Sequence, residues 1–302
     1  MNAVEIRNVT KRFGKQVAVD DLSLDVRQGS VFGFLGPNGA GKTTTIRMIV
    51  DIYAPDSGSL RVLGSAPCEE VRRRIGYLPE ERGLYEQMRV ADELRFFGEL
   101  RGLAPSVTEA RIDEWLGRLE LAGSRDKRVS DLSKGTQQKV QFIATVLHDP
   151  ELLILDEPFS GLDPVSVDLM KCAIAELRFR GKTIIFSTHQ MEQVEQLCDD
   201  LCLINRGRVV LRGAPAEVKR AHPQRIARLA FEGRDAFLSQ VPAERLTRLP
   251  THWEVLLEND HEPQDLLRRA VAGGARVTRF EVAEASLHDI FVQNVREIPS
   301  HA

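Results

Sequence analysis

The sequence predicts an α/β protein: a mainly parallel sheet covered by helices, joined by an antiparallel β part, a helical stretch and a small C-terminal α+β unit. Three observations carry this expectation. Short apolar runs alternate with amphipathic helical stretches from residue 31 to residue 204, the pattern of a parallel sheet covered on both faces. Residues 4–9 and 22–26 instead alternate apolar and polar, as half-buried strands do. After "GAPAEVKRAHPQ" the pattern changes again, with Pro215, His222 and Pro223 flanking a short polar helix that suits a domain junction.

In chain order, the continuously apolar "VFGFL" (31–35) reads as a buried strand. A helix follows the next glycines, with Ile46, Ile49, Val50 and Tyr53 on one face, and Pro55 and Gly58 stop it. "SLRVL" (59–63) is the next strand. Residues 89–121 turn helical, with Ile112, Trp115, Leu116 and Leu119 on one face, and Val140, Ile143, Ala144 and Leu147 mark a further helix. "LLIL" (152–155), a helix near 164–180, "TIIFST" (183–188), a helix near 190–198 and "LCLI" (201–204) continue the alternation, and "NRG" turns into "RVVL". The boundaries expected are 1–218 for the main domain, with its helical part at about 80–150, and 219–302 for the α+β unit. In that unit "RIARLAF", "WEVLLE" and "RVTRFEVAE" read as strands, and "PQDLLRRAVAGG" and "SLHDIFVQNV" as helices. It carries no chemical motif.

Composition narrows the function classes. The chain has 302 residues, 42% hydrophobic and 28% charged, with a net charge of -3. That reads as a soluble globular protein with no global attraction to nucleic acid. No run approaches the length of a membrane span, and the first residues lack a signal-type apolar core. The expectation is a cytoplasmic chain, with another polypeptide supplying the spans if it works at a membrane. Cys68, Cys172, Cys198 and Cys202 are scattered, which suits reduced thiols better than a zinc site.

"GPNGAGKTT" carries the chemistry. Gly36, Gly41, Lys42 and Thr43 set out G-x-x-x-x-G-K-[ST] between an apolar strand and a helix, with Pro37, Asn38, Gly39, Ala40 and Thr44 completing the loop. Glycines let backbone N–H groups turn toward phosphate oxygens, and the helix N-terminus adds partial positive charge. Lys42 can reach terminal phosphates and the Thr43 hydroxyl can bind magnesium. "LLILDEP" ends a strand in two acids, Asp156 to hold magnesium through water and Glu157 to deprotonate an attacking water. His189 in "STHQM" ends the next strand, where its imidazole can meet a γ-phosphate or that water. His148 reads as a polar residue at a helix end. Phe13, taken alone, is as readily core as functional.

Together "GPNGAGKTT", "LSKGTQQ", "LLILDEP", "SGLD" and "STHQ", in this order, resemble an ATP-binding cassette (ABC) ATPase with the P-loop NTPase fold, over about residues 3–215. The resemblance implies ATP and Mg2+ as ligands and a head-to-tail pair of cassettes. It implies that "LSKGTQQ" caps the ATP held by the opposite copy, through Ser133, Lys134, Gly135 and Thr136. By itself the same stretch is an N-capped helix, Ser133 being a good cap. Lys134 and Thr136 depart from the glycine and glutamine commoner in the family, and Lys134 points either to phosphate or to solvent. Phe13 matches the adenine-stacking aromatic, and Asp163 of "SGLD" the loop linking the two sites. "GYLPEERGLY" matches the segment that usually carries a glutamine near magnesium and meets the membrane partner; Glu80 stands at that position. Arg72 to Arg74 read as a solvated face. The combination of "GYLPEERGLY", "SKGTQQKVQF" and the small C-terminal unit resembles cassette subunits of exporters of the sodium-extrusion and drug-resistance type. The implied role is a separate ATPase subunit serving a polytopic membrane subunit, peripheral on the cytoplasmic face. A soluble cassette ATPase acting on ribosomes or DNA is the alternative.

Overall fold

The computed structural model describes residues 1–296 apart from Arg82, Pro223, Gln224, Asp260 and Ala285. Pro223, one expected flank of the junction, therefore lies outside the described residues. The chain divides into two compact units, Met1–Pro215 and Ala216–Ala302.

The first unit begins with β1 (Asn2–Phe13) and β2 (Gln16–Arg27), an antiparallel pair turned at Gly14, whose φ of 60° suits glycine. Then come β3 (Val31–Leu35), α1 (Lys42–Ile49), β4 (Ser57–Val62), α2 (Glu69–Arg73) and β5 (Ile75–Leu78). Three helices follow, α3 (Val90–Leu100), α4 (Pro105–Arg118) and α5 (Lys134–Val146). β6 (Leu152–Asp156), α6 (Pro164–Phe179), β7 (Thr183–Thr188), α7 (Met191–Leu197), β8 (Asp200–Asn205) and β9 (Arg208–Gly213) complete the unit.

One sheet has the order β2-β1-β4 and is antiparallel; the other has the order β5-β6-β7-β3-β8-β9. In the larger sheet β5, β6, β7, β3 and β8 run parallel and β9 closes it antiparallel. β3, β6 and β7 are buried at every position, as central strands covered on both faces must be. The mainly parallel sheet with an antiparallel β part thus matches the α/β expectation.

Three local expectations need correction. The helical stretch 89–121 is two helices. Gly102 takes a φ of 74°, and Ala104 is held extended before Pro105, which starts α4. α3 and α4 meet closely, since a Cβ on Gly98 would lie 2.5 Å from Thr108 Cγ2. α1 ends at Ile49, with Asp51 left-handed at φ 61°, so Tyr53 lies beyond the helix. Arg74 is more than a solvated residue: its guanidinium forks onto Glu151 at 2.6 and 2.8 Å. The sequence pattern also missed β5, whose IGYL is too short to show a period, and α2.

α8 (Pro215–Ala221) spans the division between the units. The second unit has β10 (Arg225–Glu232), β11 (Leu246–Arg248), β12 (Trp253–Leu257), α9 (Glu262–Ala272), β13 (Arg276–Glu284) and α10 (Leu287–Arg296). Its sheet is antiparallel in the order β11-β12-β10-β13. Ala227, Leu229, Val255, Leu266 and Ala270 form its core.

Candidate active site

The loop between β3 and α1 is shaped by its glycines. Gly41 has φ 104°, and a Cβ there would lie 2.4 Å from the Ala18 carbonyl oxygen; at Gly36 it would lie 2.4 Å from the Ile204 oxygen. Only glycine permits both approaches. The loop delivers the chain to the N-terminus of α1, which no side chain caps. The first amides of that helix are therefore suited to an anion. Lys42, the first residue of α1, is only 7% exposed. Its Nζ donates to the Gly36 oxygen at 2.7 Å and the Pro37 oxygen at 3.2 Å. Burial lowers its pKa, while the carboxylates of Glu157, Asp156 and Glu80 act in the opposite direction.

Two neighbouring strand ends bring the acids to this loop. Asp156 ends β6 at 1% exposure. The Thr43 hydroxyl donates to its Oδ2 at 3.3 Å, and Ser187 Oγ donates to its Oδ1. Ser187 stands opposite Asp156 in the β6–β7 register. Glu157 then takes a left-handed φ of 50°, its N–H donating to the Ser187 oxygen at 3.1 Å. This conformation is uncommon for a residue with a Cβ. One residue past the end of β7, His189 Nδ1 lies 2.9 Å from Glu157 Oε1, with the imidazole 66% exposed and the carboxylate 13% exposed.

Lys42, Thr43, Asp156, Glu157 and His189 line one cavity of about 660 Å³, together with Phe13, Asn38, Gly39, Ala40, Gly41, Thr44 and Glu80, whereas Gly36 and Pro37 are not part of its lining and meet Lys42 through their carbonyls. Phe13 is 44% exposed and meets Tyr53 edge-on at a centroid distance of 5.3 Å. That separates it from the core. Gln16 and Ala18 also line the cavity and went unnoticed in the sequence, and Ser160, the first residue of the "SGLD" loop, lines it too. The paired Thr43 hydroxyl and Asp156 carboxylate, with Glu80 in the same cavity, form an all-oxygen donor set. It fits a small hard cation such as Mg2+, which takes one or two carboxylates alongside substrate phosphates.

The remaining candidates do not join this cavity. Ser133 caps α5, its Oγ accepting from Thr136 N–H at 3.2 Å and lying 2.9 Å from Thr136 Oγ1. Ser133 and Lys134 are exposed, so Lys134 faces solvent in the single chain. Gly135 lies against the loop before α6: a Cβ there would be 3.1 Å from the Gly161 oxygen. Asp163 caps α6, accepting from Ser166 N–H at 3.0 Å and Ser166 Oγ at 2.7 Å. Those bonds hold its carboxyl below the usual range.

His148 sits elsewhere, with Nε2 3.1 Å from the Ile75 oxygen, and burial pushes it down to about 4. Burial also raises the Cys198 thiol, and the Cys202 thiol to about 12. All four cysteines are free, and among the described residues no group of three or more His, Cys, Asp or Glu is placed to hold a metal ion. Among them, too, no helix is long and apolar enough to cross a membrane.

Comparison with known proteins gives the same picture. Residues 19–160 match the ABC transporter family, and residues 213–295 match the C-terminal domain of DrrA1-3-like ATP-binding proteins. The chain is 42% identical over 291 residues to the uncharacterized ABC transporter ATP-binding protein YhaQ of Bacillus subtilis, covering 96% of this chain and 97% of that protein. It is 35% identical to the Nod factor export ATP-binding protein I of Mesorhizobium japonicum, covering 96% of this chain and 86% of that one. A solved ATP-binding subunit of an ABC transporter superposes with a TM-score of 0.68 at 30% identity, over 72% of this chain and 92% of that chain. Clostridium perfringens cbiO1, part of the ABC transporter complex cbiONQ, gives 0.65 at 27% identity, over 72% of this chain and 90% of that chain.

Proposed function

The chain belongs to the ABC transporter ATP-binding family, an ATPase subunit of a transporter, and from that premise we propose that it powers an exporter as a homodimer. Similarity to a protein named for Nod factor export supports the direction of transport. Similarity to a subunit of a multi-component complex supports a separate polytopic membrane partner. In this reading the ATPase sits on the cytoplasmic face and meets that partner through the segment around residues 80–90.

One observation carries the proposal. The phosphate loop, Asp156, Glu157 and His189 line one cavity, while Ser133, Lys134, Gly135, Thr136 and Asp163 stay outside it. A second copy placed head to tail would bring the outer set to the ATP held by the first. There the Ser133 hydroxyl, the Gly135 amide and the α5 N-terminus would meet the γ-phosphate. Contacts made only in the closed pair are what allows ATP to favour closure.

Within the cavity Phe13 stacks on adenine, and the amides of residues 38–44 hold the phosphates. The Lys42 ammonium leaves its carbonyl partners for the terminal phosphates. Thr43, Asp156 and Glu80 would hold Mg2+, which when bound neutralises phosphate charge. Ser187 fixes the Asp156 carboxylate. Glu157 takes a proton from the water that attacks the γ-phosphorus, and ADP leaves as the bond to its β-phosphate oxygen breaks. His189 holds Glu157 before ATP arrives and turns its imidazole to the γ-phosphate afterwards. The carboxylate of Glu80, in place of an amide, adds negative charge beside the phosphates and slows closure.

The test is to express a tagged Glu157→Gln chain in its own host and solubilise the membranes with and without ATP. A polytopic membrane protein recovered in stoichiometric amount supports the proposal. Recovery of ribosomal or DNA-associated proteins without any membrane partner would replace it with the soluble-ATPase reading.

A further inference from the structure

The sheet of the second unit ends on β13, and among the described residues no strand pairs with its outer side. β13 is nine residues long and contains no proline or lysine. Proline stops an edge from accepting another strand, and charged side chains do so unless the incoming strand pairs them. Its sequence, RVTRFEVAE, has a particular symmetry. Two arginines precede Phe280 and two glutamates follow it at the same separations. Laid antiparallel against a second copy about Phe280, Arg279 of each copy faces Glu281 of the other, so the two charges flanking Phe280 meet their opposites.

A row of charges across the sheet points the same way. Glu254 on β12, Arg228 on β10 and Glu281 on β13 are direct cross-strand partners. Arg228 lies 3.0 Å from Glu254 and 3.9 Å from Glu281. The row alternates in sign and stops at the edge with Glu281. The second copy's Arg279 would be its next member. Beside it, Val282 is 40% exposed, on the same face as Phe280, which packs against the core. A neighbouring strand would cover it.

We propose that β13 is a self-association edge: two C-terminal units join by antiparallel β13–β13 pairing into one continuous sheet. The register shift of β13 against β10 lies between Ala230 and Phe231, so the central pair Arg279–Glu281 falls in the regular part. In the single chain Arg279 donates to Glu281 at 2.5 Å along the strand. The pair gathers both copies of these residues into a four-charge cluster. The contact uses no residue that lines the nucleotide cavity. It would hold two chains near each other while their cassettes open and close.

The test is sedimentation equilibrium of the full chain at low salt without nucleotide, so that ATP-driven closure does not contribute. Wild type should dimerise reversibly. Arg279→Glu places acids opposite acids, and Glu281→Arg places bases opposite bases. Each alone should weaken association by about tenfold or more. An equimolar mixture of the two should associate again, because the acids of one chain face the arginines of the other. A monomeric wild type would overturn the proposal. So would single variants that associate like wild type, or a mixture no better than its parts. Loss of a membrane partner in Arg279→Glu with unchanged self-association would assign the edge to that partner instead. ATP binding to the single chain, measured in parallel, shows that the cassette of each variant is intact.

Discussion

Single residues decide the chemistry, and most of them were legible because their motifs prescribe a backbone. G-x-x-x-x-G-K-[ST] is readable because two positions tolerate only glycine and the lysine must start a helix. Ser187, Gln16 and Ala18 were not, because their relevance comes from spatial neighbours. Ser187 meets Asp156 only through strand register. Glu157→Gln should lower turnover by about 10²–10⁴-fold while keeping ATP binding, measured by steady-state kinetics beside nucleotide titration. Ser187→Ala leaves the Asp156 carboxylate without its Oδ1 donor. It should weaken Mg2+ affinity by about tenfold, seen as a raised metal requirement for turnover with an unchanged fold by circular dichroism. Glu93 makes a prediction about stability. It is fully buried, with Oε1 accepting from Tyr85 N–H at 2.8 Å and Oε2 unpartnered. Burial raises its carboxyl from 4.5 to about 6. A raised acid binds its proton more tightly when folded, so its contribution is fully present below pH 4.5 and is lost as pH rises through 6. Relative to Glu93→Gln, wild type should lose about 2 kcal/mol between pH 4 and pH 8 in urea titrations. A pH-independent difference would contradict this account.

At the scale of elements, periodicity located what packs with a regular face and missed what does not. α5 and α6 were readable because each has a polar cap followed by a helical stripe, Ser133 and Asp163 being the caps. The division of residues 89–121 was hidden because both helices share an apolar rhythm across Gly102 and Pro105. β5 was hidden because four residues show no period, yet it leads the chain to Glu80. The α3–α4 contact depends on Gly98. Gly98→Ala places a methyl against Thr108 and should cost about 1–3 kcal/mol of unfolding free energy by denaturant titration. It should leave ATP affinity unchanged, since the phosphate loop belongs to other elements.

For the whole molecule, the cassette was legible from the order of its motifs, and the C-terminal unit only as a change of pattern. A site shared between two chains would leave a particular trace in one of them: an anion clamp, Ser133 to Thr136, set outside the cavity of its own chain. The chain alone therefore looks incomplete, and its completion by a second copy is the central claim. The most direct measurement mixes a Ser133→Arg chain with a Lys42→Ala chain and counts ATP retained after gel filtration. If each site takes its phosphate loop from one chain and its Ser133 from the other, half of a random mixture is mixed dimer, and each mixed dimer keeps one intact site. The mixture should then hold about a quarter of the wild-type nucleotide while neither parent holds any. A mixture as empty as both parents would contradict the composite site and place each chain's chemistry within itself.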